Sequence, residues 1–297
     1  MLCKKPFNSR GVLFGCGQCT PCRLNKRREW THRLILESHQ HERSSFITLT
    51  YSDDTIPLQD GTPTLAPADL QKWLKRFRLA LSPLRIRFFA VGEYGDATQR
   101  PHYHALVFGA PTCARGRTGG IRGTIPADDC CLSCQTLNRS WGLGRVFQGS
   151  VTPESCQYVA GYTVKKMTDP THPANAGRHP EFSRQSRHPG IGTWAMEDVA
   201  LTIMQSGHVA EQEDVPTALI HGKRVLPLGR YLRRKLRKAL GRKEEALDRQ
   251  ESEEMRAMRA VAFHSGTSLS EVVVEAYEHK NLSLEARLQI RERKKHL

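Results

Sequence analysis

The stretch Arg100-Pro101-His102-Tyr103-His104-Ala105-Leu106-Val107-Phe108-Gly109 reads as a β-strand, apolar and aromatic along its length and closed by a glycine. Side chains alternate along a strand, so His102 and His104 share one face and Tyr103 takes the other. Two imidazoles on one face of a rigid strand make half of a divalent-metal site. Just upstream, Phe88-Phe89-Ala90-Val91-Gly92-Glu93 reads as a second strand that ends in a carboxylate. A short turn rich in Gly, Asp and Thr links the two, which predicts a hairpin with Glu93 beside the histidines. A His-His-carboxylate set with open positions suits Mg2+ or Mn2+ acting as a Lewis acid on a phosphate. Taken alone, the same histidines read equally well as hydrogen-bonded strand residues.

Further upstream, Ser45-Phe46-Ile47-Thr48-Leu49-Thr50-Tyr51 is a strand by its β-branched and aromatic content. A polar loop runs to Pro67. Leu70, Trp73, Leu74, Phe77 and Leu81 then recur at helical spacing and predict an amphipathic helix over 68–81. Another helix is expected over 23–41. A helix between strands, followed by a hairpin, predicts an α+β layout: an antiparallel sheet with helices packed on it.

Nine cysteines cannot all pair, and clustered cysteines in a reducing compartment point to metal. Cys3 with Cys16, Cys19 and Cys22 supplies four thiolates, three of them at two-residue spacing. That set suits one structural Zn2+ stapling an N-terminal arm, residues 1–22, too short for a core of its own. The spacing also partly fits an iron–sulfur run, and metal-free thiols are a third reading. Residues 110–144 read as an insertion carrying Cys113, Cys130, Cys131 and Cys134. These are either a second zinc set or incidental thiols in a loop.

Residues 152–167 begin with a helix-start signal, Thr152-Pro153-Glu154. On that helix Tyr158 and Tyr162 stand four residues apart and share a face, which Lys165 and Lys166 continue. Two packed aromatics with flanking lysines is the structural reading. The chemical reading is that a nearby ammonium helps a phenol ionise and neutralises a phosphate oxygen. A tyrosine attacking a phosphodiester conserves the bond energy as a phosphotyrosine. A second tyrosine on the same face allows a second transfer.

Lys and Arg number 45 against 30 Asp and Glu, a net charge of +15. Such a charge attracts polyanions, nucleic acid first among them. Ten of these cations fall between Lys223 and Lys243 with no acid among them, and Leu232, Leu236 and Leu240 give that stretch a helical apolar stripe. Arg230, Arg233, Arg234, Lys235, Arg237 and Lys238 are its candidate DNA contacts. No apolar run is long enough to span a membrane and none has the shape of a signal peptide, so the expected setting is the cytoplasm.

The strand Phe46–Tyr51, the pair His102-Tyr103-His104 and the run Tyr162-Thr163-Val164-Lys165 together resemble, in that order, the three motifs of the HUH endonucleases that initiate rolling-circle replication. Tyr158 beside Tyr162 is similar to the two-tyrosine branch. Cys16–Cys22 running into Arg23–Trp30, then Pro180–Gly192 and Arg230-Tyr231, resemble the initiators of gokushovirus-type microviruses, small single-stranded DNA phages. The resemblance covers about residues 1–240 and leaves the cysteine-bearing insertion out. It implies a ferredoxin- or RRM-like sheet and metal at Glu93, His102 and His104. It also implies nicking of one strand at a viral origin, single-stranded at the nick. A tyrosine would take the 5′ end, and the free 3′-OH would pass to a host polymerase and helicase in the bacterial cytoplasm. The expected organisation is an arm (1–22), a nicking domain (23–167), an extension (168–222) and a basic helical region (223–297). A non-enzymatic, zinc-stapled nucleic-acid-binding protein, or an HUH transposase or relaxase, are the other readings.

Overall fold

The structure, a computed structural model, describes residues 3–9, 12–95, 98–115, 117–118, 126–162, 175, 177–206, 214–244 and 253–293. The chain divides into two compact units, Arg27–Glu244 and Met1–Lys26 with Glu245–Leu297.

The larger unit is built on a six-stranded antiparallel sheet. Its strands are β1 (Ser44–Tyr51), β2 (Arg87–Tyr94), β3 (Pro101–Phe108), β4 (Arg117–Thr118), β5 (Gly144–Ser150) and β6 (Phe182–Gln185). They lie side by side in the order β6-β2-β3-β1-β5-β4. The α+β class and the helix-covered antiparallel sheet expected from the sequence are what the chain adopts. The predicted hairpin is β2–β3, and in its register Glu93 faces His102 while Val91 faces His104.

Strand alternation divides the core in two. One face sends Ile47, Leu49, Tyr51, Phe88, Tyr103, Ala105 and Val107 against helices α2 (Pro67–Ala80) and α3 (Leu132–Trp141). The apolar stripe of α2, Leu70, Trp73, Leu74 and Phe77, is fully covered there. Each such side chain contributes about 1.5–3 kcal/mol by its burial. The other face carries Phe89, Val91, Leu106 and Phe108. It packs on Leu34 and Ile35 of α1 (Thr20–His39) and on Cys156, Val159 and Ala160 of α4 (Pro153–Tyr162). The metal-ligand candidates extend this second face. Gly144, where β5 begins, has φ +144, and a Cβ there would meet the Thr50 carbonyl oxygen at 2.3 Å, so only glycine fits.

Outside α1 lies a third layer, α5 (Ala195–Ser206) and α6 (Arg230–Ala239), whose Met196, Leu232 and Leu236 cover Leu36. The basic stretch is therefore not helical throughout. Ala218–His221 and Arg224–Pro227 form a hairpin, and the helix starts only after Pro227 and Gly229. Residues 168–193, read from composition as loop, contain edge strand β6. Its following residues are bound by a buried ion pair that composition hid. Glu37 is wholly buried, pairs with Arg87 and accepts the Gly192 N–H at 2.6 Å. Arg87 in turn donates to the Pro189 carbonyl at 2.7 Å.

In the smaller unit, helices α7 (Glu253–Ser265), α8 (Leu269–Ala276) and α9 (Glu278–Arg293) accompany a hairpin of Phe7–Ser9 and Val12–Phe14. Met258, Ala262, Leu269 and Val273 are its core, with Leu13 packed against them. Ser268 and Glu271 close a capping box on α8.

Candidate active site

Cross-strand partners share a face of a sheet, so the β2–β3 register brings Glu93, His102 and His104 together. Their ligand atoms lie within 4.8 Å of one another. Glu93 Oε1 is 2.7 Å from His102 Nε2 and 2.9 Å from His104 Nε2. The other ring nitrogens are held from behind. His102 Nδ1–H donates to the Arg100 carbonyl at 3.0 Å, and His104 Nδ1 lies 2.9 Å from Thr48 Oγ1. Because a carbonyl only accepts, a neutral His102 turns its Nε2 lone pair toward a carboxylate oxygen. Two acceptors approach that closely only with a proton or a cation between them. Burial alone would raise the Glu93 carboxyl, but hydrogen bonds from His102 and His104, and then their charge, hold it at about 2. Glu93 is thus an anionic oxygen donor flanked by two imidazoles, a set that fits a hard or borderline divalent cation.

Helix α4 brings the tyrosines to this group. Thr152 and Ser155 cap its start reciprocally: Ser155 N–H donates to Thr152 Oγ1 at 3.2 Å, and Thr152 N–H to Ser155 Oγ at 2.8 Å. Cys156, Val159 and Ala160 then face the sheet, which leaves Tyr158 and Tyr162 on the flank toward the histidines. The Tyr158 hydroxyl lies 3.3 Å from His104 Nε2. The Tyr162 ring stacks over His104 with centroids 5.8 Å apart, and the two tyrosine rings meet edge to face at 5.1 Å. Tyr158 is 45% exposed, so a ligand can reach it. Arg27 donates from Nε and Nη2 to the Gln157 carbonyl of the same helix, both at 3.3 Å. Tyr51 and Tyr103 lie on the opposite face, and burial pushes the Tyr103 phenol up to about 12. Lys165 and Lys166 lie outside the described residues.

Two supports escaped the sequence reading. Thr48 orients His104, and Phe46 stacks on His104 at 5.6 Å. Strand alternation places both on the histidine face of β1, so the signal was present once β1 was paired with β3.

The sulfurs of Cys3, Cys16, Cys19 and Cys22 also lie within 4.8 Å of one another. Cys3 Sγ accepts N–H groups from Lys5 and Cys16, at 3.4 and 3.2 Å. The Cys19 N–H holds the Cys16 thiol down to about 6. On α6 the candidate cations separate into two groups. Arg237 is buried and binds Asp214 through Nε and Nη2 at 2.7 and 2.8 Å, and Arg233 binds the same carboxylate. Arg230, Arg234 and Lys238 point to solvent at four-residue spacing, with Lys235 half-buried beside them. Any DNA contact by α6 therefore falls to these four, because Arg233 and Arg237 are committed inside the fold. Among the described residues, no helix is long and apolar enough to cross a membrane.

Comparison with known proteins agrees with this geometry. The family whose description begins Replication-associated protein ORF2 matches residues 44–167, from β1 to just past Tyr162. The chain is 33% identical over 164 residues to Replication-associated protein VP4 of Bdellovibrio phage phiMH2K, covering 52% of this chain and 49% of that one. It is 31% identical over 159 residues to Replication-associated protein ORF2 of Spiroplasma virus 4, covering 51% and 48%. It is 28% identical over 155 residues to Replication-associated protein ORF4 of Chlamydia phage 1, covering 51% and 38%. The matched stretch thus spans about half or less of each relative. No solved structure matches the chain significantly. These similarities bear out the resemblance to microvirus-type replication initiators drawn from the motifs.

Proposed function

We propose that this chain, similar to phage replication-associated proteins, starts rolling-circle replication by nicking one DNA strand at a viral origin. The observation that carries this reading is the meeting of Tyr158 and Tyr162 with Glu93, His102 and His104. A tyrosine oxygen attacks the scissile phosphorus. A Tyr–O–P bond to the 5′ side forms, the P–O3′ bond breaks, and the leaving oxygen takes a proton to become a 3′-OH. The second tyrosine then serves the closing transfer, in which a 3′-OH attacks the phosphotyrosine and frees the phenol. A Mg2+ or Mn2+ ion held by Glu93, His102 and His104 would supply Lewis-acid polarisation of the phosphate. Thr48 and the Arg100 carbonyl keep the imidazoles turned toward that position, and Phe46 walls it from the sheet side. Lys165 and Lys166 are assigned the neutralisation of phosphate charge. Arg230, Arg234, Lys235 and Lys238 are assigned contact with the DNA backbone. A structural Zn2+ on Cys3, Cys16, Cys19 and Cys22 would fasten the arm. The setting for this activity is the cytoplasm of the bacterial host, where the exposed 3′-OH would feed the host polymerase and helicase.

The test is covalent adduct formation. Labelled single-stranded origin DNA is incubated with protein and Mn2+ and run on a denaturing gel. The expected result is a shifted band that requires metal, survives either Tyr158→Phe or Tyr162→Phe, and disappears in the double change and in His102→Ala. Tight DNA binding with no adduct from any version would instead favour a non-enzymatic binding protein.

A further inference from the structure

The insertion between β3 and β5 brings together four cysteines that the nicking chemistry does not use. Cys113 leaves the end of β3, Cys130 and Cys131 precede α3, and Cys134 lies in the first turn of α3. Their sulfurs all lie within 4.8 Å of one another. Cys113 and Cys130 are 3.7 Å apart, and Cys131 and Cys134 are 3.6 Å apart. Neither separation is a disulfide, whose sulfurs stand at about 2.05 Å. A tetrahedron with Zn–S bonds of about 2.3 Å has sulfur–sulfur edges of about 3.8 Å, which these spacings approach. We propose that Cys113, Cys130, Cys131 and Cys134 bind one Zn2+, a closed four-thiolate site on the sheet face opposite Glu93, His102 and His104.

Three further observations support the assignment. Cys131 is the N-cap of α3 and Cys134 lies three residues on, so both sulfurs meet the helix N-terminus, which favours thiolate. The Ala114 N–H donates to Cys131 Sγ at 3.4 Å, the kind of backbone donor that steadies a metal-bound sulfur. Burial alone would raise the Cys131 thiol, yet N–H groups of Ala114, Cys134 and Ser133 bring it to about 6. The cluster is also tied into the sheet. Gln148 of β5 accepts from Ser133 at 3.1 Å and donates to Ser45 of β1 and to the Pro111 carbonyl, at 2.9 and 2.7 Å. A zinc here clamps the segment leaving β3 onto the helix that leads into β5, where few apolar side chains hold it.

This site is independent of the nicking proposal and is tested without activity. The native full-length chain is treated with N-ethylmaleimide with and without a zinc chelator, and each cysteine is scored by peptide mass mapping. Cys130 and Cys131 are only half-buried, so they react quickly when no metal holds them. The expected result is protection of Cys113, Cys130, Cys131 and Cys134, lost on chelation and restored by added Zn2+. Cys156, buried between α4 and the sheet, serves as the control that does not change. Zinc content should fall by one ion per chain in C131S/C134S and by a different one in C16S/C19S. Equal labelling of Cys130 and Cys131 with and without zinc overturns the proposal, as does a disulfide among the four in the native chain.

Discussion

Thr48 stands directly opposite His104 in the β1–β3 ladder, and its hydroxyl lies 2.9 Å from His104 Nδ1. That contact fixes which ring nitrogen of His104 faces Glu93. Groups behind a metal ligand typically affect metal affinity by 10–100-fold. Thr48→Val keeps the β-branched shape and removes the hydroxyl. The expected outcome is about tenfold weaker Mn2+ binding by calorimetry, with adduct formation recovering at saturating Mn2+ and with Thr48→Ser restoring both. Unchanged Mn2+ affinity in Thr48→Val would remove Thr48 from the positioning role.

The two tyrosines are not equivalent. Spacing to Lys165 singles out Tyr162 in the sequence, whereas the hydroxyl beside His104 Nε2 is that of Tyr158. Tyr158 is therefore expected to make the first cut. With a synthetic origin strand under rapid quench, Tyr158→Phe should slow the first cleavage by at least about tenfold, some 1.4 kcal/mol of barrier. Tyr162→Phe should cleave normally and fail in the closing transfer. The opposite pattern would assign the first cut to Tyr162.

Helix α6 separates electrostatic from structural cations. Replacing Arg230, Arg234 and Lys238 by Ala together should leave the fold intact and flatten the salt dependence of DNA binding by roughly 2–3 units of slope, about 0.7–0.9 per lost phosphate contact. Arg237→Ala should act differently. It strands the Asp214 carboxylate and should cost on the order of 3 kcal/mol of stability. A titration of affinity against salt and a thermal melt distinguish the two.

The site was legible because it depends on period-two alternation. Once the two strands were read, His102, His104 and Glu93 had to share a face, and the four-residue spacing of Tyr158 and Tyr162 did the same on a helix. What stayed hidden depends on pairing across long sequence distances. Glu37 reads as one more charge on an amphipathic helix, and nothing local says that it is buried against Arg87 and Gly192. Strand β6 is polar because it is an edge strand, so its composition resembled loop. Helix α3 did carry a signal, Cys134, Leu137 and Trp141 at helical spacing ahead of Gly142, but glycines and cysteines around it masked the period. The basic helix was overextended because a run of cations continues across a hairpin, and charge carries no period of its own.

His32 and His221 form a buried imidazole pair, Nε2 to Nε2 at 2.8 Å, with His32 Nδ1–H donating to the Pro227 carbonyl at 2.9 Å. Since Nδ1 of His32 must donate, its Nε2 accepts the proton that His221 carries. Burial, only partly opposed by the Pro227 hydrogen bond, lowers His32 to about 4 from an ordinary 6.5. Below pH 6.5 the unfolded chain binds a proton here that the folded chain refuses until about pH 4. Protons therefore favour unfolding across that interval, and this contribution to stability is complete above pH 6.5 and falls as pH drops toward 4. The loss is on the order of 3 kcal/mol from this residue. Thermal melts between about pH 7 and pH 4.5 should show the wild type losing stability more steeply than His32→Gln, which keeps a polar side chain and no titrating ring. Parallel pH curves for the two proteins would mean that His32 is not the group that couples acid to unfolding.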